Sequence, residues 1–169
     1  MLTGKFNYWV ITDTHFGHQK MEEYCQRPVG FERLIMKQVH HTVQPQDVLI
    51  HLGDFCFYND EAWHERFMAA CPGKRWLIRG NHDRKSLGWY LSHGWDFVAD
   101  EVTLGIFGKR VALSHKPLDI SAGFDLNIHG HCHNTGHHPE YELASKRKLL
   151  FIEHTYAPVS LRKLVEGGE

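Results

Sequence analysis

The sequence predicts an α/β fold built as one domain. Two observations carry this reading. Over the first half of the chain, short β-rich apolar runs alternate with segments of helical periodicity. After His93-Gly94 the pattern changes, and strand follows strand. With 169 residues and no repeat, low-complexity tract or linker, a single domain over residues 1–169 is the economical organisation.

The elements can be justified in order. Phe6–Ile11 is a β-rich apolar run and reads as the first strand. Gln19–Gln26 and Phe31–Val43 read as helices, separated by Pro28-Val29-Gly30. The second places Phe31, Leu34, Ile35 and Val39 on one face. Asp47–Leu52 is a strand that closes in Gly53-Asp54. Asp60–Cys71 is a helix for which Asp60 is the candidate cap, stopped by Pro72-Gly73. Arg75–Ile78 is a strand that enters Gly80-Asn81-His82-Asp83, where Gly80 permits a tight turn. Asp83–Leu91 reads as helical. Glu101–Phe107 and Arg110–Leu113 form a hairpin about Gly108-Lys109. Asp125–Ile128, Leu149–Glu153 and Val159–Leu161 complete the strands.

Composition narrows the class. Hydrophobic and charged shares of 42% and 23% are those of a soluble globular protein. A formal net charge of -1 gives no global attraction to nucleic acid or membranes. No apolar run approaches a bilayer span, and Met1–Lys5 lacks a secretory apolar region, so a cytoplasmic location is expected. Cys25, Cys56, Cys71 and Cys132 form no C-x-x-C pair and read as buried small hydrophobes. The anomaly is histidine, 15 of them against 19 Lys and Arg. His40-His41 and His137-His138 read as surface pairs, but the others fall at turns.

Five apolar runs end in potential metal ligands: Asp13 with His15, Asp54, Asn81, His115, and His131 with His133. In α/β sheets the loops at the carboxyl ends of strands converge on ligands. In an extended backbone the pairs Asp13-x-His15 and His131-x-His133 would each put both side chains on one face. Carboxylate, imidazole and amide donors suit Mn, Fe, Zn, Ni or Co. A carboxylate such as Asp54 can bridge two ions, and ions about 3.5–4 Å apart can activate water and clamp a phosphoryl group.

Those blocks, D-x-H, G-D, G-N-H-D, a later H and G-H-x-H in that order, resemble the signature of the calcineurin-like metallophosphoesterases. The match runs from Asp13 to His133, and its spacing is similar to that of small bacterial, archaeal and phage members. The resemblance implies two packed mixed β-sheets flanked by helices, a four-layer α/β/β/α sandwich. It also implies two divalent ions, with manganese expected first and Fe, Ni, Co or Zn as alternatives. Asp13, His15 and His133 would hold one ion, and Asn81, His115 and His131 the other. Asp54 would bridge them, and the attacking hydroxide would lie between them. His82 would protonate the leaving oxygen, oriented by Asp83.

Plainer readings stand beside these. His18 is as readily a loop histidine as a phosphate contact, and Arg27 is either a phosphate contact or a solvated charge, as are Arg79 and Lys116. His51 and His129 read as strand histidines or as supports for the ligands. Trp63, Trp76, Trp89 and Trp95 read as packing. The expected function is hydrolysis of small phosphodiesters, cyclic nucleotides among them, by a monomer or small homo-oligomer. A broad phosphomonoesterase is the alternative. Intact His15, His82 and His131 argue against a non-catalytic scaffold. A nuclease is the remaining alternative, and near-zero net charge argues against it and against extended nucleic-acid binding.

Overall fold

The computed structural model describes residues 6–134 and 146–167. Two mixed sheets pack face to face and are flanked by helices. The first has the order β4-β3-β2-β1-β9, formed by β1 (Tyr8–Ile11), β2 (Val48–His51), β3 (Lys74–Ile78), β4 (Phe97–Ala99) and β9 (Val159–Ser160). Its first four strands are parallel and β9 is antiparallel to β1. The second has the order β5-β6-β7-β8, from β5 (Glu101–Ile106), β6 (Lys109–Ser114), β7 (Leu126–His129) and β8 (Arg147–Leu149). Here β5 and β6 form an antiparallel hairpin, and β6, β7 and β8 run parallel.

Strand alternation decides which side chains meet. Val10, Val48, Ile50 and Ile78 of the first sheet face Val111, Leu113 and Ile128 of the second, and this apolar layer holds the sheets together. The opposite face, with Ile11, Leu49 and Leu77, packs on helices. The helix α2 (Phe31–Thr42) supplies buried Phe31, Ile35 and Val39, and α3 (Asp60–Ala70) supplies buried Phe67. The predicted Phe31 stripe is thus the buried one, except that Leu34 stays half-exposed. No helix among the described residues is long and apolar enough to cross a membrane.

Several expected boundaries move, each for a local reason. The first helix shrinks to α1 (Met21–Tyr24), which lacks a side-chain cap. The helix expected from Asp83 starts late, as α4 (Leu87–Ser92), because Ser86 caps it through Trp89 N–H. Asp60 does not cap α3: Asn59 sits at the cap position in a left-handed conformation, and Asp60 pairs with Lys85 at 3.3 Å. Only residues 147–149 form the strand expected at 149–153, and Ile152–His154 is a single 3-10 turn. Val159–Ser160 stops short because Ser160 caps a helix over Leu161–Glu166 (α5). Strand β4 and helix α5 escape the sequence reading. The hairpin turn lies at Phe107-Gly108, both left-handed, one residue before its expected place. All four cysteines are free and buried, while His40 and His41 are exposed; His137-His138 lie outside the described residues.

Candidate metal centre

Five loops leave the carboxyl ends of β1, β2, β3, β6 and β7 and bring their polar residues together. Asp13 and His15 follow β1, Asp54 follows β2, and Asn81 to Asp83 follow β3. His115 follows β6, and His131 with His133 follow β7. The first two loops run side by side. Asp13 N–H donates to Gly53 O and His15 N–H to Asp54 O, both at 3.0 Å. Phe16 N–H donates to Phe55 O at 3.0 Å, and Phe57 N–H returns to Phe16 O at 2.9 Å.

Extended alternation is not what makes each D-x-H or H-x-H pair converge. Strands β1 and β7 have ended by these residues, and Asp13, His15, Asp54, His131 and His133 all have left-handed backbones, with φ between 47° and 71°. Such conformations are uncommon away from glycine and gather at functional sites. The bends turn both members of each pair inward.

The side chains form two groups. Asp13, His15 and His133 gather ligand atoms within 4.8 Å of one another, and so do Asp54, His115 and His131. Asn81 joins the second, its Oδ1 lying 3.1 Å from His115 Nε2. Between the groups sits Asp54 Oδ2, 3.3 Å from His115 Nε2 and 3.7 Å from His15 Nε2. Each group takes donors from loops of both sheets.

Asp13, Asp54, His115 and His133 are each held by the far side, so that one donor atom faces the shared space. Asp13 Oδ2 accepts from Thr12 Oγ1 at 2.6 Å and from His131 N–H at 3.0 Å, while buried Oδ1 has no hydrogen-bond partner among the described residues. Asp54 Oδ1 accepts His82 N–H at 2.9 Å, leaving Oδ2 inward. His115 Nδ1 lies 2.8 Å from the carbonyl of Leu52 and donates to it, so Nε2 is the nitrogen turned to the other donors. His133 Nδ1 faces Glu153 Oε1 at 3.1 Å with the same result. His15 is buried, and neither ring nitrogen has a hydrogen-bond partner among the described residues.

The electrostatics ask for cations. Burial alone would lower His115, but the hydrogen bond and charge of Asp54, with Asp13, outweigh it and take its pKa up to about 9. Burial also opposes charge on His133, yet Cys25, Glu153 and Asp13 lift it to about 10. Burial would raise the Asp54 carboxyl, but the adjacent His115 and His15 hold it well below the usual carboxylate range. Burial keeps His15 far below its ordinary value and therefore neutral, as a metal ligand must be. Unpartnered buried oxygen and nitrogen donors of this kind fit borderline divalent ions.

Around the donors stand the other residues singled out from sequence. His82 is half-exposed, with Nε2 at 3.9 Å from Asp54 Oδ2 and its ring against His15 and Phe57. Asp83 departs from its expected part. Its buried carboxylate accepts N–H groups from Gly80 (2.7 Å), Asp54 (2.8 Å) and Phe55 (3.1 Å), and it makes no hydrogen bond to His82 among the described residues. The backbone donors outcompete an imidazole because three of them converge on one carboxylate. Asp83 thus ties the Asp54 loop to the Asn81 loop.

His18 lies beside the centre, 5.8 Å ring to ring from His15, and stacks on Phe57 at 4.3 Å. Arg27 is neither a solvated charge nor a phosphate contact. Only 3% exposed, it pairs with Glu153 at 2.6 Å and donates to the carbonyls of Asp13 (2.7 Å) and Thr14 (2.8 Å). Arg79 pairs with Asp100 at 2.6 Å, and Lys116 is exposed. His51 supports the loops, with Thr14 Oγ1 at 2.9 Å and Gly53 N–H donating to Nδ1 at 3.1 Å. Buried His129 meets its neighbouring carbonyl, Gly130 O, at 3.0 Å. Trp95 is buried, while Trp63, Trp76 and Trp89 are half-buried.

Sequence reasoning missed Glu153 and Thr12. Glu153 has no motif spacing, and its apolar prefix reads as one more strand. Thr12 is visible only once its hydroxyl is seen on Asp13.

A two-sheet α/β sandwich whose strand ends gather two imidazole–carboxylate groups side by side is the arrangement of a class of metal-dependent phosphoester hydrolases. The chain belongs to the calcineurin-like phosphoesterase family, whose profile matches residues 6–163. It is 30% identical to an uncharacterized protein of Methanocaldococcus jannaschii, over 95% of this chain and 92% of that one. Its fold matches a crystal structure of a protein of unknown function from Aquifex aeolicus, with TM-score 0.77, 28% identity and coverage of 95% and 98%. Pseudomonas putida nuclease MPE shares the fold more loosely, with TM-score 0.51, 24% identity and coverage of 75% of this chain and 61% of the nuclease.

Proposed function

We propose that this chain is a dinuclear metal-dependent phosphodiesterase acting on small substrates, nucleotide diesters among them. The observation that carries the reading is Asp54 Oδ2, lying within 3.7 Å of an imidazole from each group. Asp13, His15 and His133 would hold one ion, Asn81, His115 and His131 the other, and Asp54 both. Bound there, two divalent ions supply Lewis acidity to the phosphoryl oxygens and a water acidic enough to react at neutral pH. Manganese is the first candidate, and iron, nickel, cobalt and zinc suit the same donors.

The chain's own residues do the rest. Thr12 and the His131 amide orient Asp13, while the Leu52 carbonyl and Glu153 fix the tautomers of His115 and His133. His82, half-exposed with Nε2 3.9 Å from Asp54 Oδ2, would give its proton to the departing ester oxygen. Arg27 and Arg79 are both held in ion pairs, so neither is spare to neutralise a second phosphate charge. That favours the single charge of a diester over a dianionic monoester.

A substrate panel tests this. Bis-p-nitrophenyl phosphate, the corresponding monoester and a 2′,3′-cyclic nucleotide are compared with Mn, Ni, Co and Zn, alongside metal analysis. Diester preference and two ions per chain are expected, with Asp54→Ala inactive. A single-ion protein, a monoester preference, or an active Asp54→Ala protein counts against the proposal.

A further inference from the structure

We propose that the cleft beside His18 seats the base of a nucleoside on the retained side of the diester, making nucleoside phosphodiesters the substrate class. The inference rests on the proposed function and concerns what surrounds the metal centre. Four rings form a continuous aromatic wall there. Tyr24 meets His18 edge-on at 6.2 Å, His18 stacks on Phe57 at 4.3 Å, and Tyr58 meets Phe57 edge-on at 4.7 Å. The wall starts at the donors, because His18 is 5.8 Å from the His15 ring. Gly17, Gln19 and Lys20 complete a cavity of 450 Å³, within the roughly 300–1,000 Å³ of small-molecule sites.

Three features mark the wall as built for a flat apolar group. Tyr58 and Tyr24 are large aromatics left 71% and 55% exposed on the same cavity, where packing alone would bury them. Tyr58 also has a left-handed backbone at φ 71°, costly for a bulky residue and a pointer to function. Finally, the wall is preorganised: Phe57 N–H bonds to Phe16 O at 2.9 Å, in the same paired loops that carry His15 and Asp54. A base stacked here would be reached by the Gln19 amide at its edge, with Lys20 near the sugar and phosphate. The other side of Phe57–Tyr58 has a separate cavity of 380 Å³ that includes His82, Arg84 and Lys85. The leaving group belongs there, next to the proton donor, so the retained nucleoside takes the His18 side.

Two diesters with one leaving group isolate the effect: the thymidine p-nitrophenyl diester and methyl p-nitrophenyl phosphate. The quantity read is the ratio of their kcat/KM values in each protein. The wild-type ratio should favour thymidine. Tyr58→Ala should cut it about tenfold, as expected for one lost base–ring stack, and Tyr58→Phe should keep it. A ratio unmoved by Tyr58→Ala, or cut equally by Tyr58→Phe, overturns the cleft. Equilibrium dialysis of thymidine monophosphate with manganese decides the matter even if neither diester turns over. Binding about tenfold weaker in Tyr58→Ala then supports the cleft while the proposed hydrolysis fails, and equal binding rejects it.

Discussion

At the scale of single residues, position separates His82 from Asp83. His82 Nε2 is half-exposed at the open side of the centre, so its contribution should track how badly the leaving oxygen needs a proton. His82→Ala should slow diesters with ribose leaving groups by about 10²–10⁴-fold and nitrophenyl esters far less. Equal losses would assign it to phosphate binding. Asp83 should behave differently, because three backbone N–H groups converge on its carboxylate. In Asp83→Asn one donor must face an amide N–H, a loss of roughly 1–3 kcal/mol. The expected result is a lower melting temperature and weaker metal binding, with the same rate loss on every leaving group; a loss confined to poor leaving groups would restore an orienting role. That the candidate donors would come together was legible in sequence, because five strand ends carried them in order. The work of Asp83, Arg27 and Glu153 was not, since Arg27 and Glu153 meet across 126 residues and only the fold brings them together.

At the scale of elements, the glycines that open the motifs act through space. Gly80 reads in sequence as a turn residue, but its φ is not left-handed. A Cβ on Gly80 would overlap Asp54 Oδ1, and one on Gly130 would overlap Thr12 Oγ1 and Asp13 Oδ2. Both strands must end in glycine so that another loop's carboxylate can lie against their backbone. Gly130→Ala should therefore cost about 1–3 kcal/mol of stability and displace Asp13, weakening metal binding in calorimetric titration. Gly88→Ala is the contrast: nothing lies within 4 Å of its Cβ, and in α4 it should stabilise by up to about 1 kcal/mol. Matching effects at the two sites would refute the steric account. The strands that feed the centre were readable from their apolar runs. Short elements such as β4 and α5 were not, because three or six residues carry too little periodicity to separate strand, turn and helix.

At the scale of the whole molecule, acid should unfold the protein partly through buried neutral histidine. His64 is 1% exposed, packed among Phe55, Trp89 and Tyr90, and burial takes its pKa down to about 4. The unfolded chain binds its proton near pH 6.5, so this stability is complete above that value and is lost as pH falls towards 4. The span corresponds to roughly 3 kcal/mol. His64→Asn should be less stable at pH 7 but flatter between pH 6.5 and 4.5 in denaturant unfolding, and a parallel profile would exclude His64 as the source. The other global feature is that each donor group takes ligands from both sheets: Asp13 and His15 meet His133, and Asp54 meets His115 and His131. An ion bound there would rivet one sheet to the other at the end of the sandwich opposite the strand starts. Folding and metal loading then become one equilibrium. Each tenfold rise in free manganese beyond saturation should add about 1.4 kcal/mol per ion, and the melting temperature should climb with the logarithm of metal concentration. Chelation would reverse the climb, and Asp54→Ala should flatten it. A cell short of the metal would hold not only an idle enzyme but a less durable one, so metal supply would set the amount of this protein as well as its activity.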